Sequence, residues 1–95
     1  MNAEELTLNI AVNLGRIGRF ACDGKEKRVY QFLEETTRYM SELDKATKSE
    51  RFMKTYIPFR ARFESAFQHP RLTDDAWIEN VFTWANILSH RAKFA

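Results

Sequence analysis

The sequence predicts an all-α fold, an up-down-up-down bundle of four helices. Four segments carry apolar residues at every third or fourth position, which is the spacing of one face of a helix. Capping residues and short connections separate these segments, and short connections favour antiparallel neighbours. The chain has only three glycines and two prolines in 95 residues, too few for the many turns of a β-rich domain.

The first helix is predicted over residues 3–22. Asn2 is a suitable N-cap, and Glu5 stands at the third helical position, as in a capping box. Gly24 suits the left-handed conformation that often follows the end of a helix. The predicted core face consists of Leu6, Ile10, Leu14, Ile17 and Ala21.

The second helix is predicted over residues 25–46. Asp23 is its candidate N-cap, and Glu26 follows three residues later. The opposite face carries charges at four-residue spacing, as expected for a side that faces solvent. The apolar face consists of Val29, Phe32, Leu33, Thr36, Met40 and Leu43.

The third helix, predicted over residues 49–68, has an aromatic core face. Thr47 and Glu50 form a candidate capping box. The apolar spacing continues in phase beyond Pro58, so we expect one helix kinked at that proline. A break at Ile57 is the alternative, because a residue before proline avoids the α conformation. The aromatic face consists of Phe52, Tyr56, Phe59, Phe63 and Phe67.

The fourth helix is predicted over residues 74–92, with Thr73 as its N-cap. Leu72 and Trp77 then occupy the two positions of a hydrophobic staple. The apolar face consists of Trp77, Val81, Trp84, Leu88 and Ala92, and is widened by Ile78, Phe82 and Ala85.

The composition indicates a single helical domain, residues 1–95, of modest charge. A formal net charge of +2 is well short of the excess typical of a dedicated nucleic-acid binder. No stretch is long enough and apolar enough to span a bilayer, and the acidic N-terminus lacks the apolar segment of a signal peptide. Cys22 is the single cysteine, so we expect no internal disulfide and a buried, inert thiol. These features predict a cytoplasmic protein without membrane contact.

The first helix also carries a stripe of small residues, Ala11, Gly15, Gly18 and Cys22, beside its core face. Each glycine lowers helix stability by about 1 kcal/mol relative to alanine, and close approach of another helix would explain this loss. We expect that helix to belong to the same chain or to a second copy, and we predict a homo-oligomer such as a homodimer. A local helix distortion is one alternative. A phosphate loop is a weaker one, because the glycines follow no strand and fit no phosphate-binding spacing.

Basic residues surround the predicted connection between the first two helices. They could bind a phosphate, an acidic protein or RNA. The alternative is a solvated corner in which the arginines face the negative end of a helix dipole. The basic corner consists of Arg16, Arg19, Lys25, Lys27 and Arg28.

No pattern in the chain favours a cofactor. Neither His69 nor His90 has a carboxylate or second histidine at ligand spacing, so we predict no metal site and no cofactor. Arg62 and His69 fit the short Arg-x4–6-His pattern of HEPN-type ribonucleases, which are also helical bundles. We do not assign this family, because such a short pattern arises by chance and here lies at a helix end before Pro70.

These observations together predict a small, non-enzymatic interaction module. We expect it to bind a partner protein and to self-associate through the small-residue stripe. The alternative function is weak binding of nucleic acid or of a phosphate ligand at the basic corner.

Overall fold

The computed structural model describes all 95 residues and contains four helices and no strand. Helix α1 is Ala3–Cys22 and α2 is Glu26–Lys45. Helix α3 is Glu50–Arg62 and continues directly into one π-helical turn, Phe63–Phe67, named here the π turn. Helix α4 is Asp75–Arg91. With the π turn counted as part of α3, each helix begins and ends within one residue of its predicted bound.

The predicted four-helix bundle is confirmed, and α1 occupies its centre. Helix α1 packs closely along both α2 and α4, so it is buried on two sides. Its core residues Leu6, Ile10, Leu14 and Ile17 are at most 2% exposed. The molecule measures 37 × 21 × 20 Å. None of its helices combines the length and the apolar character needed to cross a membrane.

Helix α3 stands further from the bundle centre because its core face is aromatic. No Cα atom of α3 lies within 8 Å of α1 or α2. The ring of Phe59 packs against Phe63, Phe67 and Trp84 of α4, with centroid distances of 6.1, 6.3 and 5.4 Å. Such pairs add about 0.5–1.5 kcal/mol each to the stabilisation from buried area. Core packing therefore accounts for most of the aromatic residues in α3.

Helix α1 begins at its predicted cap, where Asn2 Oδ1 accepts a 2.9 Å hydrogen bond from a backbone N–H of the first turn. Gly24 adopts the predicted left-handed conformation, with φ of 68°. The predicted cap of α2 is wrong, because Lys25 holds the N-cap position and no side chain caps this helix. Asp23 instead belongs to the end of α1, since its backbone N–H donates to the Arg19 carbonyl oxygen at 3.0 Å.

Helix α3 has Ser49 as its N-cap, and the prediction of Thr47 is wrong. Ser49 Oγ accepts a 3.0 Å hydrogen bond from the backbone N–H of Phe52. The helix continues through Pro58 as predicted, so the alternative break at Ile57 is also wrong. Proline is tolerated on the exposed side of α3, where it removes a single backbone hydrogen bond.

The π turn is held by a side chain from α4. Within the turn, the Gln68 N–H donates to the Phe63 carbonyl oxygen, five residues back, at 3.0 Å. Trp77 Nε1 donates to the Ala66 carbonyl oxygen at 3.0 Å. The indole also stands edge-on to the ring of Phe67, with a centroid distance of 6.2 Å. Trp77 therefore fixes the π turn against α4 through both a hydrogen bond and ring packing.

Helix α4 has Asp74 as its N-cap, and the prediction of Thr73 is wrong. The Asp74 carboxylate accepts hydrogen bonds from two backbone N–H groups of the first turn, at 2.9 and 3.3 Å. A carboxylate at this position also interacts favourably with the helix dipole, which favours it over the threonine hydroxyl. Because the helix starts one residue later than predicted, Leu72 and Trp77 do not occupy the positions of a hydrophobic staple.

A polar cluster joins the end of α2 to α3. One oxygen of the Asp44 carboxylate accepts hydrogen bonds from the Tyr56 hydroxyl and from Arg60 Nε, the latter at 2.9 Å. The hydrogen bond to Asp44, helped by the charges of Asp44 and Glu64, raises the pKa of Arg60 above its ordinary value. Lys48 Nζ donates to three carbonyl oxygens at the end of α2, where a cation interacts favourably with the helix dipole.

Candidate interaction surfaces

The small-residue stripe of α1 divides between the core and the surface. Ala11 and Gly18 are both buried. At Gly18 the ring of Phe82 comes so close that an added Cβ would lie 2.7 Å from two ring carbons. Close approach to a helix of the same chain therefore occurs at Gly18.

The other two members of the stripe, Gly15 and Cys22, lie nearer the surface. No atom lies within 4 Å of the position that a Cβ on Gly15 would take. Cys22 is exposed, so the expectation of a buried thiol is wrong. On the helical wheel these two residues lie further from the core face than Ala11 and Gly18 do, and this rotation carries them out of reach of α4.

The exposed side of α1 carries large apolar residues. Leu8 is 42% exposed and Val12 is 53% exposed, and the two lie one turn apart on the same side. Gly15 follows Val12 and leaves a shallow gap in the surface of the helix. We call this side the outer face of α1, which consists of Glu4, Leu8, Val12, Gly15, Arg19 and Cys22.

Charges of opposite sign stand at the two ends of the outer face. Glu4 lies in the first turn of α1 and Arg19 lies in the last turn, each at the end that the helix dipole favours. The four ion pairs of the protein include neither residue. Both charged side chains are exposed and accessible to a second molecule.

Part of the basic corner is organised around two stacked phenyl rings. Phe20 of α1 and Phe32 of α2 stack with a centroid distance of 5.6 Å and an angle of 14° between their planes. The Arg16 guanidinium lies over the Phe32 ring at 5.2 Å. Lys25 and Arg28 lie over the Phe20 ring at 6.0 and 5.9 Å. The rings thus gather three cations at the end of the bundle through cation–π attraction.

Arg16 is also tied into the contact between α1 and α2. Its guanidinium donates to Asn13 Oδ1 at 3.2 Å, and the Asn13 amide donates to Glu35 Oε1 at 3.2 Å. Because Asn13 is buried, this chain of hydrogen bonds gives Arg16 a structural role. Arg19 and Lys27 take part in no such chain and are exposed. The structure therefore brings three members of the predicted corner together around the rings, whereas Arg19 and Lys27 do not belong to this group.

Arg62 and His69 line one cavity of about 340 Å³ between the π turn and the start of α4. Arg71 also lines it, but its guanidinium is paired with Asp74 at 3.3 Å. Asn80 Oδ1 is buried at this cavity without a hydrogen-bond partner. No hydrogen bond joins the side chains of Arg62 and His69 across this cavity.

The chain matches no protein-family model, no curated protein and no solved structure. No three side chains of His, Cys, Asp or Glu lie close enough together to hold a metal ion. The outer face of α1 and the basic corner are the two surfaces whose composition favours binding.

Sequence reasoning missed the apolar residues of the outer face and the stacked rings. Leu8 and Val12 fall outside the predicted core face of α1, and this position on the wheel was the signal that could have found them. The apolar spacing predicts Phe32 in the core face of α2, but the ring is partly exposed. No comparable signal marked its contact with Phe20, because that contact depends on how α1 and α2 pack.

Proposed function

We propose that this protein is a small, non-enzymatic helical interaction module that self-associates and binds protein partners through the outer face of α1. The observation that carries the proposal is the exposure of Leu8 and Val12, 42% and 53%, next to the open surface at Gly15. Apolar side chains that lie together on one exposed face favour burial against another protein.

The core of this protein does not require apolar residues at those positions. The core face of α1 is already almost completely buried, and the outer face points away from it. Valine is a weaker helix former than arginine, lysine, glutamine or glutamate, so its presence at an exposed helical site has no local structural benefit. Contact with a partner would stabilise apolar residues here, because it would remove the side chains of Leu8 and Val12 from water.

Self-association can be tested by sedimentation of the parent protein and of Leu8→Ser with Val12→Ser. We expect a concentration-dependent dimer in the parent and a monomer in the double variant. Ile57→Ser is the matched control, since Ile57 is 60% exposed but lies on α3. A parent protein that stays monomeric at high concentration, or a dimer that only the control disrupts, would contradict the proposal.

A cytoplasmic location belongs to the same proposal. Cys22 is an exposed and unpaired thiol, which persists in a reducing compartment and oxidises readily elsewhere.

The second candidate function is weak binding of nucleic acid or of a phosphate ligand at the basic corner. The observation that favours it is the grouping of Arg16, Lys25 and Arg28 around two partly exposed phenyl rings, with no acidic side chain paired to them. Cations beside aromatic rings suit a single-stranded nucleic acid. The net charge of +2 limits the expected affinity.

This second function can be tested by measuring RNA binding over a range of salt concentrations. We expect weak affinity that falls steeply with salt, as phosphate contacts require. Lys25→Glu with Arg28→Glu should abolish the binding. Lys45→Glu with Lys54→Glu, which changes the net charge equally at the far end of α2 and on α3, should reduce it much less. Absence of RNA affinity at low salt, or equal loss in both variants, would contradict a site at this corner.

A further inference from the structure

We infer that a second copy of this chain docks antiparallel on the outer face of α1, across a two-fold axis next to Val12. In this arrangement Leu8 of each copy packs over the partner's Gly15, and Glu4 lies opposite the partner's Arg19. The inference rests on the proposed self-association and adds its orientation and register.

The order of charges along α1 selects the antiparallel orientation. Glu4 and Arg19 lie about 22 Å apart, on opposite sides of Val12 and at similar distances from it. A parallel pair would place Glu4 against the partner's Glu4 and Arg19 against the partner's Arg19. An antiparallel pair places opposite charges together at both ends. Complementary charges of this kind set orientation more than affinity.

The size of the side chains selects the register. Leu8 and Gly15 lie at similar distances from the position of the axis, so the leucine of one copy meets the glycine of the other at two symmetric points. No atom lies within 4 Å of a Cβ position on Gly15, which leaves room for an incoming side chain. Small residues at a helix crossing allow the two backbones to approach closely.

A register shifted by about one helical turn is less suitable. It would place Leu8 against the partner's Val12 and Glu4 against the partner's Arg16. Arg16 is already hydrogen-bonded to Asn13 and lies over the Phe32 ring, whereas Arg19 is free. The shifted pair would also leave Gly15 without a large residue above it.

Charge-exchange variants test the orientation by sedimentation. Glu4→Arg and Arg19→Glu should each raise the dimer dissociation constant several-fold, and the two together should restore it. Each exchange also opposes the helix dipole, so a general loss of helix stability would make the double variant the weakest dimer. Restoration supports the antiparallel pair. A double variant that dimerises no better than the single variants overturns it.

Cross-linking tests the register. In a Cys22→Ser background, Val12→Cys should form a disulfide-linked dimer on mild oxidation, because the two copies of this residue lie near the axis. The parent should form none through Cys22, since these thiols stand about 30 Å apart in the antiparallel pair. Gly15→Leu should fold, as circular dichroism can verify, and should block the dimer.

The possible failures are distinguishable. A parent that never dimerises removes the proposed self-association and the inference with it. Loss of the dimer in Leu8→Ser would support the proposed self-association. If the same dimer cross-links through Cys22, or does not cross-link through Val12→Cys, the antiparallel register is wrong and the proposed function still holds.

Discussion

The ring of Phe82 lies against the backbone of α1 at Gly18. A Cβ on Gly18 would stand 2.7 Å from Cε1 and Cζ of that ring, closer than real Cβ contacts allow. Glycine at this position therefore lets α4 pack close to α1 with a phenyl ring between them. Phe82 is 40% exposed, so the ring covers Gly18 near the surface of the bundle.

Replacing Gly18 by leucine should destabilise the fold. The new side chain would occupy the space of the Phe82 ring, and we expect the free energy of unfolding to fall by about 1–3 kcal/mol. Urea denaturation at low protein concentration measures this change without interference from self-association. Gly18→Leu combined with Phe82→Ala should recover part of the loss. A Gly18→Leu protein as stable as its parent would show that the ring moves aside freely.

The helices and most of the core could be predicted because they depend on local periodicity. Each apolar face repeats every three or four residues, and this pattern survives whatever the helices pack against. The caps could not be chosen reliably, because two candidate residues stand close together before α3 and before α4. Ser49 caps α3 in place of Thr47, and Asp74 caps α4 in place of Thr73, because the side chain that reaches the N–H groups of the first turn depends on where each helix begins.

The surface of α1 was harder to predict than its core. The glycine stripe indicated a close contact, but only the packing of α4 could show that Gly18 makes that contact while Gly15 faces outward. Both residues have the same local sequence signal. The difference between them comes from the rotation of α1 relative to α4, which is a property of the whole bundle.

Gly15 and Gly24 should respond oppositely to alanine, although neither has an atom within 4 Å of an added Cβ. Gly15 is helical, so alanine there should raise the free energy of unfolding by about 0.5–1 kcal/mol. Gly24 has φ of 68°, where alanine is strained and should lower it by about 1–2 kcal/mol. Thermal or urea denaturation of the two variants compares them directly. Equal changes in the two would mean that backbone conformation does not govern these positions.

Ser49→Ala should weaken the start of α3 by about 1 kcal/mol, because it removes the N-cap hydrogen bond to the Phe52 N–H. It also removes the hydrogen bond that the Ser49 hydroxyl donates to the Phe94 carbonyl oxygen. Thr47→Ala is the control and should leave stability within about 0.5 kcal/mol of the parent, as expected for a surface site without such contacts. Urea denaturation measures both. If Thr47→Ala were the more damaging change, the assignment of the cap would have to be reversed.

The hydrogen bond between Tyr56 and Asp44 should couple α3 to α2 energetically. Tyr56→Phe removes only the hydroxyl that donates to the Asp44 carboxylate, and we expect a loss of about 1 kcal/mol in the free energy of unfolding. In an Asp44→Ala background the same change should have little effect, because its partner is already absent. Arg60→Ala with Tyr56→Phe supplies the comparison, since Arg60 contacts the same carboxylate oxygen independently. In the Arg60→Ala background, Tyr56→Phe should still lower the free energy of unfolding by most of that amount. An equal loss from Tyr56→Phe with and without Asp44 would show that the ring contributes through packing alone.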